Sequence, residues 1–143
     1  MLNDECKMMN DGCRFFNNLS RNLHYDVMKE NILKTKSLQF AIDSVELYKE
    51  LIIDKEFVMS KQFLRSSTSV GANIRESCNS NSKKDFIYKL SISQKECDES
   101  IYWLELMERT GYIELGRMKP IKNQGEEILR IIKSSIITAK RNL

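Results

Sequence analysis

Gln62, Arg65, Ser69, Asn73 and Glu76 recur at steps of three and four residues, a spacing that lines them along one face of an α-helix. A guanidinium, two carboxamides, a hydroxyl and a carboxylate on one stripe have the means to orient a substrate and move a proton. Glu96, Asp98 and Glu99 form a second candidate, with the oxygen donors that a hard cation takes. Neither group has the company that chemistry requires. The chain contains no P-loop, G-x-G-x-x-G turn, H-E-x-x-H or nucleophile elbow. His24 is its one histidine, so an imidazole-based acid–base pair is missing. A carboxylate bundle for two metals would need Glu-x-x-His pairs. The sequence therefore reads as non-enzymatic, with no catalytic residue, metal or cofactor. The polar stripe is expected to be a partly buried network that sets helix register, because buried polar groups need partners.

The helix carrying that stripe is assigned to residues 57–79. Ser66, Ser67, Thr68, Ser69 and Gly71 all have lower helix propensity than alanine, so close packing of small side chains has to offset the loss. Met59, Phe63, Ser67, Val70 and Ile74 make its apolar face. A helix over 29–53 precedes it, with Leu38, Ala41, Val45, Tyr48 and Ile52 as the main inward stripe. Leu33, Phe40, Leu47 and Leu51 widen that stripe. Ser82 is placed as an N-cap and Asp85 as a weak capping-box acid for a third helix over 83–110, ended by Gly111. Its core stripe is Phe86, Leu90, Ser93, Cys97, Ile101, Leu104 and Met107. Tyr88, Ile92, Glu99, Trp103 and Leu106 fall on the opposite face, where an aromatic and aliphatic line implies a subunit interface. The fourth helix covers 115–141, with Met118, Ile121, Ile128, Ile132, Ile136 and Ala139 inward and Pro120 delaying or kinking its start. Short connections join the helices. The expected fold is all-α, an antiparallel up-down-up-down four-helix bundle over residues 29–143.

One proline and five glycines in 143 residues agree with long helices rather than a turn-rich β architecture. Residues 1–28 are weakly periodic, with turn-like signals at 10–12 and 17–18. They read either as a leader ahead of a translation start at Met28 or as an N-terminal arm. No apolar run approaches the roughly 20 residues of a membrane span, and no secretory signal is evident. Cys6, Cys13, Cys78 and Cys97 are scattered and read as free thiols. A cytoplasmic protein without a membrane partner is expected.

The net charge of +3 is unevenly spread. Residues 57–81 carry three basic groups against one acidic, and residues 114–143 carry seven against three. Lys119, Lys122, Arg130, Lys133, Lys140 and Arg141 fall within about a third of the fourth helix's circumference, interrupted only by Glu126. Repeated around a symmetric oligomer, this stripe becomes a ring of positive potential. Such a surface holds phosphate backbones in a salt-dependent, sequence-tolerant way. These six residues are the expected nucleic-acid-binding set, with structured RNA as the partner. The alternative is a protein–protein scaffold whose basic stripe is simply solvated.

The stretches ENILKTKSLQFA (30–41), SKQFLRSSTSVGANIRE (60–76), SKKDF (82–86), ESIYWL (99–104) and TGY (110–112) resemble the bacterial four helix bundle protein family over about residues 29–142. That family includes proteins encoded in intervening sequences of 23S ribosomal RNA genes and the accessory variability proteins of diversity-generating retroelements. The resemblance implies an antiparallel bundle assembled into a homopentameric ring with a basic surface, and no enzymatic activity. For retroelement members it implies an adaptor that binds a reverse transcriptase and structured RNA. Gln62, Arg65, Ser66, Ser69, Asn73, Glu76, Phe86, Glu99, Trp103 and Tyr112 match the family pattern, and most are expected to determine fold and assembly. Arg75, the Ser77-Cys78 pair, Pro120 and the first 28 residues depart from it.

Overall fold

The computed structural model describes residues 2–141, with side chains described for His24 and for Val27 to Arg141. Four helices make up the described residues: α1 (Leu2–Ile53), α2 (Met59–Ser77), α3 (Lys83–Arg109) and α4 (Leu115–Arg141). Each packs on the next, and α1 also meets α4. This is the expected up-down-up-down connectivity. Residues 2–28 continue α1 N-terminally, and the turn-like residues at 10–12 and 17–18 lie within it. A glycine or asparagine costs a helix about 1 kcal/mol or less and does not by itself end one. The free thiols expected at Cys6 and Cys13 lie outside the described side chains.

The inward face of α1 differs from the expected one. Leu33, Ser37, Phe40, Ser44, Leu47 and Leu51 are buried, whereas Leu38 is 49% exposed and Ala41, Val45, Tyr48 and Ile52 are half-buried. Apolar side chains cover most of the circumference of α1, and the two serines that mark its true seam count as polar in a hydropathy pattern.

Those serines belong to a larger set. Among the described residues every buried polar side chain except Glu56 is a serine, namely Ser37, Ser44, Ser60, Ser66, Ser67, Ser77, Ser93 and Ser100. Most donate to a carbonyl one turn back, as Ser44 does to Phe40 (2.7 Å) and Ser77 to Ile74 (2.7 Å), so their burial leaves no donor unpaired. Two reach across from α3 to α2. Ser93 donates to the Val70 carbonyl at 2.9 Å, and Ser100 to Ser66 Oγ at 3.1 Å. On the other flank of α2, a Cβ placed on Gly71 would stand 3.3 Å from Ser37 Oγ. The small residues of α2 thus do what the sequence required of them. They bring two helices close enough to offset poor intrinsic propensity.

α2 starts at Met59, two residues later than expected, because Glu56 sets its beginning. Lys55 takes a left-handed φ of 63°, and the chain folds back so that the Glu56 carboxylate lies under the first turn. It accepts from the backbone N–H groups of Val58 (3.1 Å), Met59 (2.9 Å) and Ser60 (2.6 Å). Burial opposes its charge, but the donors of Ser60, Met59 and Val58 together outweigh burial and hold the carboxyl below its usual range. At the other junctions Ser82 Oγ accepts from Asp85 N–H (3.1 Å), as expected of an N-cap, and Gly111 takes φ 83° after α3. α4 begins at Leu115 without delay and contains Pro120. The proline is exposed there, and the carbonyl it leaves unbonded, that of Gly116, is in an exposed first turn open to solvent.

Candidate nucleic-acid interface

The sequence supplies seven basic residues between Glu114 and Leu143, and α4 sorts them into two groups. Arg117 and Lys122 are engaged internally. Arg117 grips Glu50 of α1 through two bonds of 3.1 and 2.8 Å. Lys122 Nζ lies 2.6 Å from Glu105 of α3 and 3.8 Å from Glu126. The Glu105 bond raises the Lys122 pKa and links α4 to α3. Lys122 thus differs from the other five members of the expected binding set in being paired within the bundle. Its burial flank faces α3, a partner that the stripe's own periodicity does not reveal.

The remaining five are different. Lys119, Arg130, Lys133, Lys140 and Arg141 are all exposed, and none enters an ion pair among the described residues. The acids that would neutralise them are spent elsewhere, Glu126 on Lys122 and Glu127 on Lys36 of α1 at 3.0 Å. The outward side of α4 is consequently cationic over about 33 Å of helix. Arg130 also edges a shallow groove between α1 and α4 that Met28, Ile32 and Ile131 line.

The polar stripe of α2 is less buried than expected. Gln62, Arg65 and Glu76 are exposed, and Ser69 and Asn73 are half-buried. Two of the five reach α3. The Arg65 guanidinium lies between Glu96 (3.2 Å) and Glu99 (2.5 Å), and Glu76 meets Lys89 at 2.7 Å. The pairs 76/89, 70/93, 66/100 and 65/99 run in opposite order along the two helices, which is an antiparallel register. Asn73 turns back to the Ser69 carbonyl of its own helix (2.9 Å). A register lock is present, but its buried part is Ser66, Ser93 and Ser100, with Arg65 and Glu76 as exposed latches worth at most about 1 kcal/mol each. Glu99 is held below its usual pKa chiefly by the Arg65 bond, so it keeps a carboxylate paired and has no proton to transfer at neutral pH.

The back face expected on α3 divides in the same way. Trp103 packs against the core, donates its indole N–H to Glu99 at 3.1 Å, and meets Tyr102 edge-on at 5.1 Å. It is half-buried, beside the pairing of Glu99 with Arg65 of α2. Ile92 and Leu106 are half-buried, and Tyr88 is exposed. Cys97 is a buried small side chain, as expected, with its thiol donating to the Gly125 carbonyl and its pKa pushed up to about 12, by burial first and then by Asp98. Glu96, Asp98 and Glu99 do not assemble as a cation site, and the described residues contain no group of three or more His, Cys, Asp or Glu that could hold a metal ion. No described helix is long and apolar enough to cross a membrane.

Residues 29–134 match the family model described as 23S rRNA-intervening sequence protein. A crystal structure of a protein with unknown function from the S23 ribosomal protein family, from Bacteroides thetaiotaomicron, is 52% identical. It superposes with a TM-score of 0.74, covering 76% of this chain and 97% of its own. Among curated proteins none matches.

Proposed function

The chain belongs to the 23S rRNA-intervening sequence protein family, and on that premise we propose that it is a non-enzymatic, homo-oligomeric adaptor that binds structured RNA through α4. The observation that carries this is the sorting of charge on α4. Every acid in the helix body is consumed by an internal pair, while Lys119, Arg130, Lys133, Lys140 and Arg141 stay exposed. A homopentamer would repeat that strip five times around a ring and offer a continuous track to phosphates. A reverse transcriptase is the kind of protein partner such an adaptor would serve.

The test is RNA affinity as a function of salt. Wild type should lose affinity steeply with ionic strength. The Lys133→Glu/Lys140→Glu double variant should bind at least about tenfold more weakly with a slope reduced by about 1 to 2. Lys122→Ala, which removes a paired ammonium, should change RNA binding little. No RNA binding by wild type at low salt, or binding indifferent to the double reversal, would refute the proposal. A protein-scaffolding ring without nucleic acid is the second reading, favoured by exposed Leu38 and Ile42 on α1 and Tyr88 on α3. Recovery of a protein partner after nuclease treatment, with no RNA affinity, would select it.

A further inference from the structure

α1 turns Lys36, Asp43 and Glu50 toward α4, where they meet Glu127, Gln124 and Arg117. α2 turns Arg65 and Glu76 toward α3. The opposite flanks of α1 and α2 therefore lie side by side on the outside of the bundle. Helical spacing puts Leu38, Ile42 and Val45 of α1 there, beside Leu64, Thr68 and Ala72 of α2. Leu38 is 49% and Ile42 46% exposed; Val45, Leu64 and Thr68 are half-buried, and Ala72 is exposed. The close approach of Ser37 and Gly71 sets the register of the pair. Lys34, one turn before Ser37, and Arg75, one turn past Gly71, thus share a level at one end of the face. Lys61 stands at the other end, about 21 Å from Arg75 along α2.

The charge around this apolar strip has one sign. Lys34, Lys61 and Arg75 enter no ion pair among the described residues. α2 has no acid between Lys61 and Arg75. The two acids of α1 between Lys34 and Lys49 are both engaged, Asp43 with Gln39 and Gln124, and Glu46 with Lys49. We propose that the α1–α2 face is a docking groove for an acidic amphipathic helix of another protein, about four turns long. Its apolar stripe would lie on Leu38, Ile42 and Leu64, and its carboxylates would meet Lys34, Lys61 and Arg75. Small Thr68 and Ala72 let that third helix settle between the ridges of α1 and α2. A second copy of this chain is the wrong occupant by charge. Two such faces would set cation against cation, and the outward side of α4 is cationic as well. The groove is separate from the proposed RNA strip, since all of its residues belong to α1 and α2.

The experiment uses the full chain and a fluorescent four-turn peptide, stapled to hold its helix, with leucines along one face and glutamates on both flanks. A control peptide keeps the leucines and replaces every glutamate with lysine. Fluorescence anisotropy should show saturable binding of one acidic peptide per chain, with the control at least about tenfold weaker. Ile42→Asp, at an exposed position, should abolish binding and leave the helical circular dichroism intact. The Lys61→Glu/Arg75→Glu double variant should reverse the preference, taking the lysine peptide over the glutamate one. That reversal cannot come from damage to the fold. The proposal fails if wild type binds neither peptide saturably or binds both alike, and it fails if charge reversal leaves the order of preference unchanged. Ile42→Asp that alters the sedimentation of the assembly would mark the face as a seam between copies and overturn it. So would cosedimentation of wild type, but not of Ile42→Asp, with phosphatidylglycerol vesicles in the absence of peptide binding, which would make the face a membrane contact.

Discussion

Gly125→Leu is expected to lower the stability of the bundle by about 3 kcal/mol, read as a fall in the urea midpoint with an unchanged m-value. Gly125 is buried where α4 faces both α3 and α1. A Cβ there would already stand 3.3 Å from Ile101 Cγ1 and 3.6 Å from Phe40 Cε2, and the rest of a leucine would have to displace both side chains. The same backbone carbonyl receives the Cys97 thiol, so the helices cannot separate without losing that contact. Gly125→Ala is the control. Its helix propensity gain of about 1 kcal/mol is set against a shift of a few tenths of an ångström in Ile101, so the net change should be within about 1 kcal/mol of zero. A leucine tolerated as well as the alanine would contradict the close approach of α3 and α4.

Glu56→Ala should cost about 2 to 3 kcal/mol, more than an ordinary polar surface residue, because it strips the acceptor from three N–H groups at a helix start. The effect also carries a sign in pH. The folded-state pKa of Glu56 lies below the ordinary value of 4.5. Its contribution is therefore complete above about pH 4.5 and disappears as pH falls through the lower, folded-state value. Glu50, held down chiefly by the Arg117 bond, and Glu99, held down chiefly by Arg65, act in the same direction. The decisive measurement is thus a difference: wild type minus Glu56→Gln should narrow as the pH is lowered below 4.5. A difference that stays constant from pH 7 to pH 3 would show that the carboxylate charge adds nothing at this turn.

Periodicity located α3 and α4 well, because Leu90, Cys97, Leu104 and Met107 and the isoleucines from Ile121 to Ile136 recur with the helical repeat and little competes with them. It misjudged α1 for a physical reason. Leu38, Val45 and Tyr48 outnumber the signal from a seam in which Ser37 and Ser44 stand at closest approach. Glu56 lies in one of the short connections, and its role depends on the left-handed turn at Lys55, which no spacing rule encodes. On the candidate interface five of the six cations are exposed, whereas Lys122 pairs with Glu105, seventeen residues away on another helix, a partner that spacing within α4 does not reveal. Trp103 lies off the main stripe and still packs against the core, which its place in the repeat does not signal.

The glycine seams also bear on how the bundle should respond to compression. Pressure drives unfolding in proportion to the internal void that unfolding eliminates. At Gly71 and Gly125 even a methyl carbon would meet its neighbours at 3.3 Å, so these seams offer almost nothing to collapse. High-pressure NMR should therefore find the amides around Gly71 and Gly125 among the last to move.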